Sequence, residues 1–439
     1  MKLTKSLLAM SVASALLVLS GNAAASAFAL IEQSSGLGNA FAGGAAGAED
    51  ATTIFFNPAG MSRLSGKQVS VAGSFIKPSA KFSNTSSTGA ALQTAGGNGG
   101  DAGSLALVPN TYMVMELEPA LRFGLGINAP FGLKTDYEPT WIGRFQAITS
   151  KIQTVNLNPS LAYQMNDSVS LGAGLNYQHI TGDLTSAVNY SAAAFAAGGG
   201  ALLTAIGGAG KEGVSTISGS DSAWGYNFGA LFNVTPDARI GLSYRSKITY
   251  TLNGTISFSN VPTALAASPT LANGNVTLPV SMPDTFSISG FHQLNDKWDF
   301  MADATRTGWA TLQQLVVSRS NGTVVQTTQE NWKNTWRVAV GSSYHYNEQW
   351  LARIGVAYDQ TPVPDAYRTA RIPDNNRTWL AFGGQYKASA SGKLDFGYAH
   401  LFVKDATIAN NQTATGAGNL VGTYSNSVDI LSVQYAYSF

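Results

Sequence analysis

The sequence predicts an all-β fold: a transmembrane antiparallel β-barrel of about 14 strands, preceded by a small compact N-terminal segment. Three observations carry this. The chain opens with an export signal, in which Lys2 and Lys5 precede an apolar stretch over residues 6–19 and the small residues 21–27 fit signal peptidase. The apolar core is too short to span a bilayer as a helix. It ends on Val433-Gln434-Tyr435-Ala436-Tyr437-Ser438-Phe439, apolar at every second position and closed by an aromatic ring. Between the two, period-two alternation recurs, and no later apolar run reaches the roughly 18 residues of a spanning helix. Backbone groups in lipid must pair internally, which leaves a closed barrel as the way to sit in the bilayer.

Composition fits this class. Charged residues make up 12 % of the 439 and hydrophobic residues 44 %. A soluble chain carries about twice that charge, whereas a barrel turns a band of its surface to lipid. With no cysteine, there is no disulfide framework and no thiolate metal site. The formal net charge of +1 argues against nucleic-acid binding by phosphate neutralisation. Forty-seven glycines and 10 % aromatics suit tight turns and interfacial belts.

The elements follow in order. Residues 1–27 are the signal peptide. Residues 28–66 lack sustained alternation and are Gly/Ala-rich, with a turn at Pro58 and Gly60, so they form a compact segment buried inside something larger. Residues 67–439 form the barrel. Alternation is clear at Val169, Leu171, Ala173, Leu175 and Tyr177, at Ile240, Leu242 and Tyr244, at Val338, Val340, Ser342, Tyr344 and Tyr346, and at Leu394, Phe396, Tyr398 and His400. Short polar turns at 166–167, 235–237, 294–297 and 346–348 alternate with longer linkers, as in barrels with short periplasmic turns and long outer loops. Roughly 370 residues, at about 25 per strand with half its turns, allow about 14 strands, and periodicity leaves 12 or 16 open. Two linkers are unusual. Residues 187–222 carry Phe195, Leu202, Leu203 and Ile206, the last three at the spacing of a short amphipathic helix. Residues 259–282 are proline-rich and include Leu265 and Leu271. These apolar loops either pack on themselves or offer a docking surface to an apolar ligand.

Enzyme motifs fail. A phosphate loop ending at Gly210-Lys211 would need Gly where Ala205 stands and Ser or Thr where Glu212 stands. A dinucleotide fingerprint at Gly36-Leu37-Gly38 has Phe41 in place of its third glycine, and no strand precedes it. His179, His292, His345 and His400 are isolated, without metal spacing. No nucleophile motif accompanies them. No cofactor and no metal are expected.

Seven ordered blocks point to a family. They are Ser34-Ser35-Gly36-Leu37-Gly38-Asn39-Ala40-Phe41-Ala42-Gly43, Asn57-Pro58-Ala59-Gly60-Met61, Asn128-Ala129-Pro130-Phe131-Gly132-Leu133 and Trp141-Ile142-Gly143-Arg144-Phe145. The later three are Trp336-Arg337-Val338-Ala339-Val340-Gly341, Asp359-Gln360-Thr361-Pro362-Val363-Pro364 and Arg371-Ile372-Pro373-Asp374-Asn375-Asn376-Arg377-Thr378-Trp379. With the export signal and the terminal Phe439, the mature chain resembles the FadL family of outer-membrane transporters for long-chain fatty acids and other hydrophobic molecules.

The resemblance implies a 14-stranded barrel in a Gram-negative outer membrane, plugged by a hatch over residues 28–66. It implies ligand capture among extracellular loops, an inner pocket, and passive sideways release into the bilayer at a kinked strand. Asn57, Pro58 and Ala59 match the hatch block. Phe28 matches an N-terminal aromatic that reaches the inner pocket, which Phe131 and Leu133 are expected to line. Phe195, Leu202, Leu203 and Ile206 lie where the family has a docking loop. Asn128, Pro130 and Gly132 match the kink. Here the residues agree independently, since Pro130 lacks a ladder donor and Gly132 allows unusual torsions, although an ordinary strand-end turn is the other reading. The expected partners are hydrophobic small molecules and outer-membrane lipid, with no nucleic acid and a monomeric state. One departure stands out. Positions near Ser186 and Thr328, where some fatty-acid members carry basic side chains, are not basic, and Arg306 and Arg319 are not clean matches. Neutral ligands such as aromatic hydrocarbons or alkanes are therefore the second reading, by the same mechanism. A general porin would lack the plug, and a structural or adhesive role is the remaining class.

Overall fold

The computed structural model describes residues 27–33 and 35–439. The export signal thus lies outside the described residues, apart from Ala27. Twenty β segments join into a closed barrel of 14 antiparallel strands, because six strands are interrupted part-way. In chain order they are β1 (Lys67–Asn84), β2 (Ala106–Glu118), β3 (Leu121–Asn128 with Gly132–Asp136), β4 (Thr149–Gln164) and β5 (Val169–Asn189). Next are β6 (Glu212–Asn233), β7 (Ala238–Arg245 with Ile248–Phe258), β8 (Gly274–Met282 with Thr285–Asn295) and β9 (Trp298–Thr307 with Gln314–Arg319). The last five are β10 (Val324–Gln329 with Thr335–His345), β11 (Trp350–Asp359), β12 (Arg377–Lys387), β13 (Gly392–Val403 with Ala406–Gln412) and β14 (Gly418–Ser438). Closure runs from Gln68 opposite Ser438 to Asn84 opposite Gly422, so no long edge is left open.

The alternation read from the sequence faces outward. On β11, Trp350, Ile354, Val356 and Tyr358 are exposed, while Arg353, Gly355, Ala357 and Asp359 point inward and are buried. The expected tight turns are present at one end: Met165 donates to Val169, Val234 to Ala238 and Tyr346 to Trp350. Aromatic rings cluster beside these turns, with Trp298 4.7 Å from Tyr344, Trp350 4.6 Å from Tyr386 and Tyr437 5.0 Å from Phe439. That is the girdle of a membrane–water interface.

Two expectations need correcting at the other end. Strand β5 continues to Asn189 and β6 resumes at Glu212, so the linker is shorter than 187–222. Likewise Gly274–Met282 is strand, which leaves only residues 259–273 as loop. Residues 212–222 are mostly Ser, Gly, Thr and acidic, with little apolar alternation where the wall rises out of lipid, whereas 274–282 alternates Val276, Leu278, Val280 and Met282 but its Pro279 marks it as loop. The helix is also longer than predicted, Tyr190–Ala205. Asn189 caps it by accepting from the Ala192 amide at 2.9 Å, and Gly198 and Gly199 break it.

Residues 27–66 pack against the inward faces of the wall through two short helices, α1 (Gly44–Gly47) and α2 (Thr53–Phe56), so the Tyr190–Ala205 helix is α3. Backbone touches backbone here. A Cβ on Gly355 would collide with Asn39 and one on Gly229 with the Asn57 side chain, which is why small inward residues recur at this level. Polar ties fasten the segment. Arg239 donates to the carbonyls of Ala46 and Gly47 at 3.0 Å each, and Arg337 donates to the Ala40 carbonyl. Buried Arg353 holds Asp395 and Glu49, each at 2.6 Å. Above the segment, residues 137–148 fold inward. Trp141 is fully buried, stacked on Tyr137 at 4.1 Å.

Candidate functional site

The upper lumen holds an aromatic cluster. Phe28 sits at its centre, 4.7 Å from Trp309, 5.6 Å from Trp332 and 6.1 Å from Phe131. All four rings are buried, and Leu133, Ile180, Ile248, Leu252 and Val363 pack around them. Phe28 reaches this place because Ala27–Leu30 runs beside the interrupted strand β3. The Ala27 amide donates to Asp374 Oδ2 at 3.1 Å, which anchors the start of the run. A cavity of about 60 Å³ lies beside Ala27, lined in part by Leu133, Ile372, Pro373 and Val428. A larger hollow of about 640 Å³ opens on the lipid side between outward side chains such as Leu161, Leu171 and Phe228, so it belongs to the outer wall.

The interruption in β3 has a definite geometry. β2 pairs with β3 only as far as Thr111 opposite Ile127, so residues 106–110 of β2 have β1 as their ladder partner and no ladder to residues 129–136. Pro109 and Pro130 stand on the two sides of this break, and neither has a backbone donor to offer. On the β4 side the ladder runs to Asn128 opposite Asn156 and resumes at Gly132 opposite Gln153, so three residues face two, a bulge.

The backbone groups freed by the break find other partners. Thr154 holds both the N–H and the carbonyl of Phe131, Gln33 Nε2 donates to the Ala129 carbonyl at 2.9 Å, and Leu30 N–H donates to the Pro130 carbonyl at 2.8 Å. Gly132 N–H donates to the Phe28 carbonyl at 2.9 Å. The N-terminal run therefore occupies the edge that β2 leaves free.

The other singled-out residues fall as follows. Asn57 is fully buried. Its amide donates to Ala45 and Ala230 at 2.7 and 2.9 Å, and its Oδ1 caps the turn Pro58–Arg63 by accepting from Ala59. Pro58 and Ala59 are buried beside it. In the outer loops, Ile206 is buried against Tyr190, Ala194 and Leu265, with Leu202 and Leu203 partly buried around them. Phe195 is open, 55 % exposed. These loops thus pack on each other and leave one large ring free. Arg306 pairs with Asp284 at 3.3 Å, and Arg319 binds the Thr270 and Ala272 carbonyls, so neither enters the aromatic cluster. His345 meets Asp299 at 2.7 Å and His400 meets Asp429 at 2.8 Å, well apart from each other on the wall.

Sequence reading missed several residues. Trp309 and Trp332 lie in short interruptions of β9 and β10, where no alternation flags them. Glu330 lies in the linker 330–334 and is buried, accepting from Trp332 Nε1 at 2.9 Å. A row of inward asparagines, Asn156 and Asn158 on β4, Asn176 on β5 and Asn227 on β6, was legible in principle as polar slots in otherwise apolar strands.

The whole barrel is matched by known proteins. The model of the family described as "Outer membrane protein transport protein (OMPP1/FadL/TodX)" matches residues 16–439. The long-chain fatty acid transport protein of Escherichia coli (strain K12) is 30 % identical over 419 residues, covering 91 % of this chain and 92 % of that protein. Outer membrane protein P1 of Haemophilus influenzae (strain ATCC 51907 / DSM 11121 / KW20 / Rd) is 32 % identical, covering 89 % and 88 %. Among solved structures, a Pseudomonas aeruginosa FadL homologue superposes with a TM-score of 0.85 at 26 % identity, covering 94 % of this chain and all of that one. The Pseudomonas putida toluene transporter TodX has the same fold, with a TM-score of 0.65 at 18 % identity over 89 % and 94 %. The chain therefore belongs to the FadL/TodX family of outer-membrane transport proteins, which are channels and not enzymes.

Proposed function

We propose that this barrel takes up hydrophobic molecules from outside the cell by passive diffusion, with long-chain fatty acids as the foremost substrates. The ligand is caught at the outer loops, where Phe195 is the open ring, and moves into the cluster of Phe28, Phe131, Leu133, Trp309 and Trp332. It leaves sideways through the break at Asn128, Pro130 and Gly132, while residues 28–66, pinned by Asn57-Pro58-Ala59, close the lumen below. The observation that carries this reading is the meeting of an apolar pocket with a wall break at one place, the Phe28–Leu30 run. Each CH₂ kept out of water along such a path gains about 0.8 kcal/mol.

The test is the double change Pro130→Val and Gly132→Val. It is expected to leave ligand binding intact and to stop delivery into the membrane; delivery at the wild-type rate would overturn the lateral route. Deleting residues 40–60 is expected to raise ion conductance if the barrel still folds. A second reading, uptake of neutral hydrocarbons, is favoured by one feature: Ser186 and Thr328, near which some fatty-acid members of the family carry basic side chains, are not basic. Mass spectrometry of molecules that co-purify separates the two.

A further inference from the structure

On the outer surface of the barrel, the break in β3 is rimmed by lysines. Along β1 the lipid-facing residues run from Val71 and Phe75 to Lys77 and Lys81, and along β4 they run from Leu161 and Leu157 to Lys151. Past the break β3 resumes with Lys134, which faces outward directly opposite Lys151. On each of these strands the lysine is the first charged residue on the outward face above the apolar band. That is the height of lipid head groups, where long cationic side chains reach polar surroundings.

The two sides face each other across one gap. β2, which would stand between β1 and β3, begins at Ala106 opposite Ile76, below Lys77. Higher up, residues 101–102 close the space: the Ala102 N–H donates to the Ala80 carbonyl, and its carbonyl accepts from the Asp136 N–H, each at 3.0 Å. Between these limits lies the cavity beside Ala27. Pro78, Ser79, Ala80 and Gly103 line one side of it, and Leu133 and Lys134 the other. Ser79 stands between Lys77 and Lys81 on the outward face, so the four lysines border a single mouth.

Carboxylates stand nearby, but most are engaged elsewhere. Asp101, beside Lys81, accepts from the Ser79 hydroxyl and the Ala80 and Gly103 N–H groups at 2.7, 2.8 and 3.0 Å. Asp429, opposite Lys77, is taken by the Tyr398 hydroxyl at 2.7 Å and by His400 at 2.8 Å. Lys134 reaches Asp136 at 3.5 Å. Among the described residues, Lys77, Lys81 and Lys151 have no ion pair, although Asp183 stands opposite Lys151 in the ladder. Arg306, outward on β9, is matched by Asp284 at 3.3 Å. Like charges directly opposite on a ladder repel, so Lys134 and Lys151 call for an anion between them.

We propose that Lys77, Lys81, Lys134 and Lys151 hold the phosphate-bearing head group of an outer-leaflet lipid across the mouth of the break. Its chains lie against Phe75, Leu105 and Leu107, which are turned to lipid just below. Ammonium groups take phosphate as point charges, and lysines clustered at a membrane edge attract anionic lipid. The site goes beyond the uptake reading, since the lipid is held whether or not a ligand passes beneath it. On the uptake route, a ligand leaves under this head group and enters hydrocarbon directly.

The test reconstitutes the purified full-length barrel in phosphatidylcholine nanodiscs doped with diphosphorylated lipid A, or with the same glycolipid stripped of its phosphates. Native mass spectrometry counts the glycolipid that the barrel retains. The wild type is expected to keep the phosphorylated form at least about tenfold better, and inorganic phosphate is expected not to displace it. Lys134→Gln with Lys151→Gln, and separately Lys77→Gln with Lys81→Gln, are each expected to lower retention about tenfold or more. Each lysine near an anionic membrane surface contributes a factor of about five. All four side chains face outward, so heat-modifiable folding is expected to stay intact in both variants. Lys247→Gln, the same charge change at an exposed position in β7, is expected to alter nothing. Equal retention of the two glycolipids by the wild type overturns the inference. So does an equal loss in Lys247→Gln, which would reduce the effect to net charge, and so does displacement by inorganic phosphate, which would make the site one for free anions. A loss confined to one of the two lysine pairs overturns the bridging of the break.

Discussion

The lower and upper halves of the lumen are filled by the same N-terminal segment in opposite ways. Below, residues 39–57 are fastened by charge and hydrogen bonds: Arg353 to Glu49 and Asp395, Arg239 and Arg337 to backbone carbonyls, Asn57 to the Ala230 carbonyl of β6 and to Ala45 within the segment. Above, Phe28 is held by rings, with a two-hydrogen-bond strip to the edge of β3. Directional, buried polar ties are costly to break and hard to replace. Apolar contact is non-directional, so a hydrophobic ligand can substitute for Phe28 at little net cost. On the proposed uptake route, closure belongs to the lower half and exchange to the upper.

The largest effect is expected from breaking the lower half. Arg353→Ala leaves Asp395 buried with no cation beside it, and removing one partner of a buried pair costs about 3–5 kcal/mol. Conductance across planar bilayers is expected to rise, with dodecanoate binding in the upper pocket retained. A silent conductance trace together with lost ligand binding would invert the assignment.

A middle-sized effect comes from Phe28 itself. Burying such a ring is worth about 1.5–3 kcal/mol. In Phe28→Ala the ligand no longer competes with it, so toluene binding is expected to tighten by about tenfold while conductance stays at the wild-type level. Weaker toluene binding would mean that Phe28 is part of the binding wall instead of its occupant.

The wall was largely legible, and the reason is physical. Lipid forces outward apolar side chains onto every second position, so Leu394, Phe396 and Tyr398 declare β13 directly. Above the bilayer that pressure stops, and polar strand ends such as residues 185–189 and 212–220 read as loop. The break was legible through Pro130, whose missing donor is a local fact; its partner Pro109 sits in a stretch that alternates normally and gave no sign. The aromatic cluster was half legible. Phe131 and Leu133 came from a motif block and Phe28 from its place just after the export signal, but Trp309 and Trp332 come together only through the closure of β9 on β10.

The smallest effect is expected at the outer loops, and it sharpens the comparison by asking where exchange begins. The four apolar loop residues are not equivalent. Ile206 is buried against Leu265, and Leu202 and Leu203 are partly covered, so changing them to Ser weakens the loops' own packing before it touches any ligand. Phe195 projects from α3 with 55 % of its surface free. Covering the rest by a ligand is worth about 0.8–1.6 kcal/mol, a severalfold to roughly tenfold change in affinity. Phe195→Ser is therefore expected to slow dodecanoate uptake severalfold at low concentration and to leave the maximal rate unchanged, because capture precedes and does not limit the pocket step. Uptake unchanged at every concentration would make the loop pair a self-packed cap, and would move the first apolar contact inward to Trp309 and Trp332.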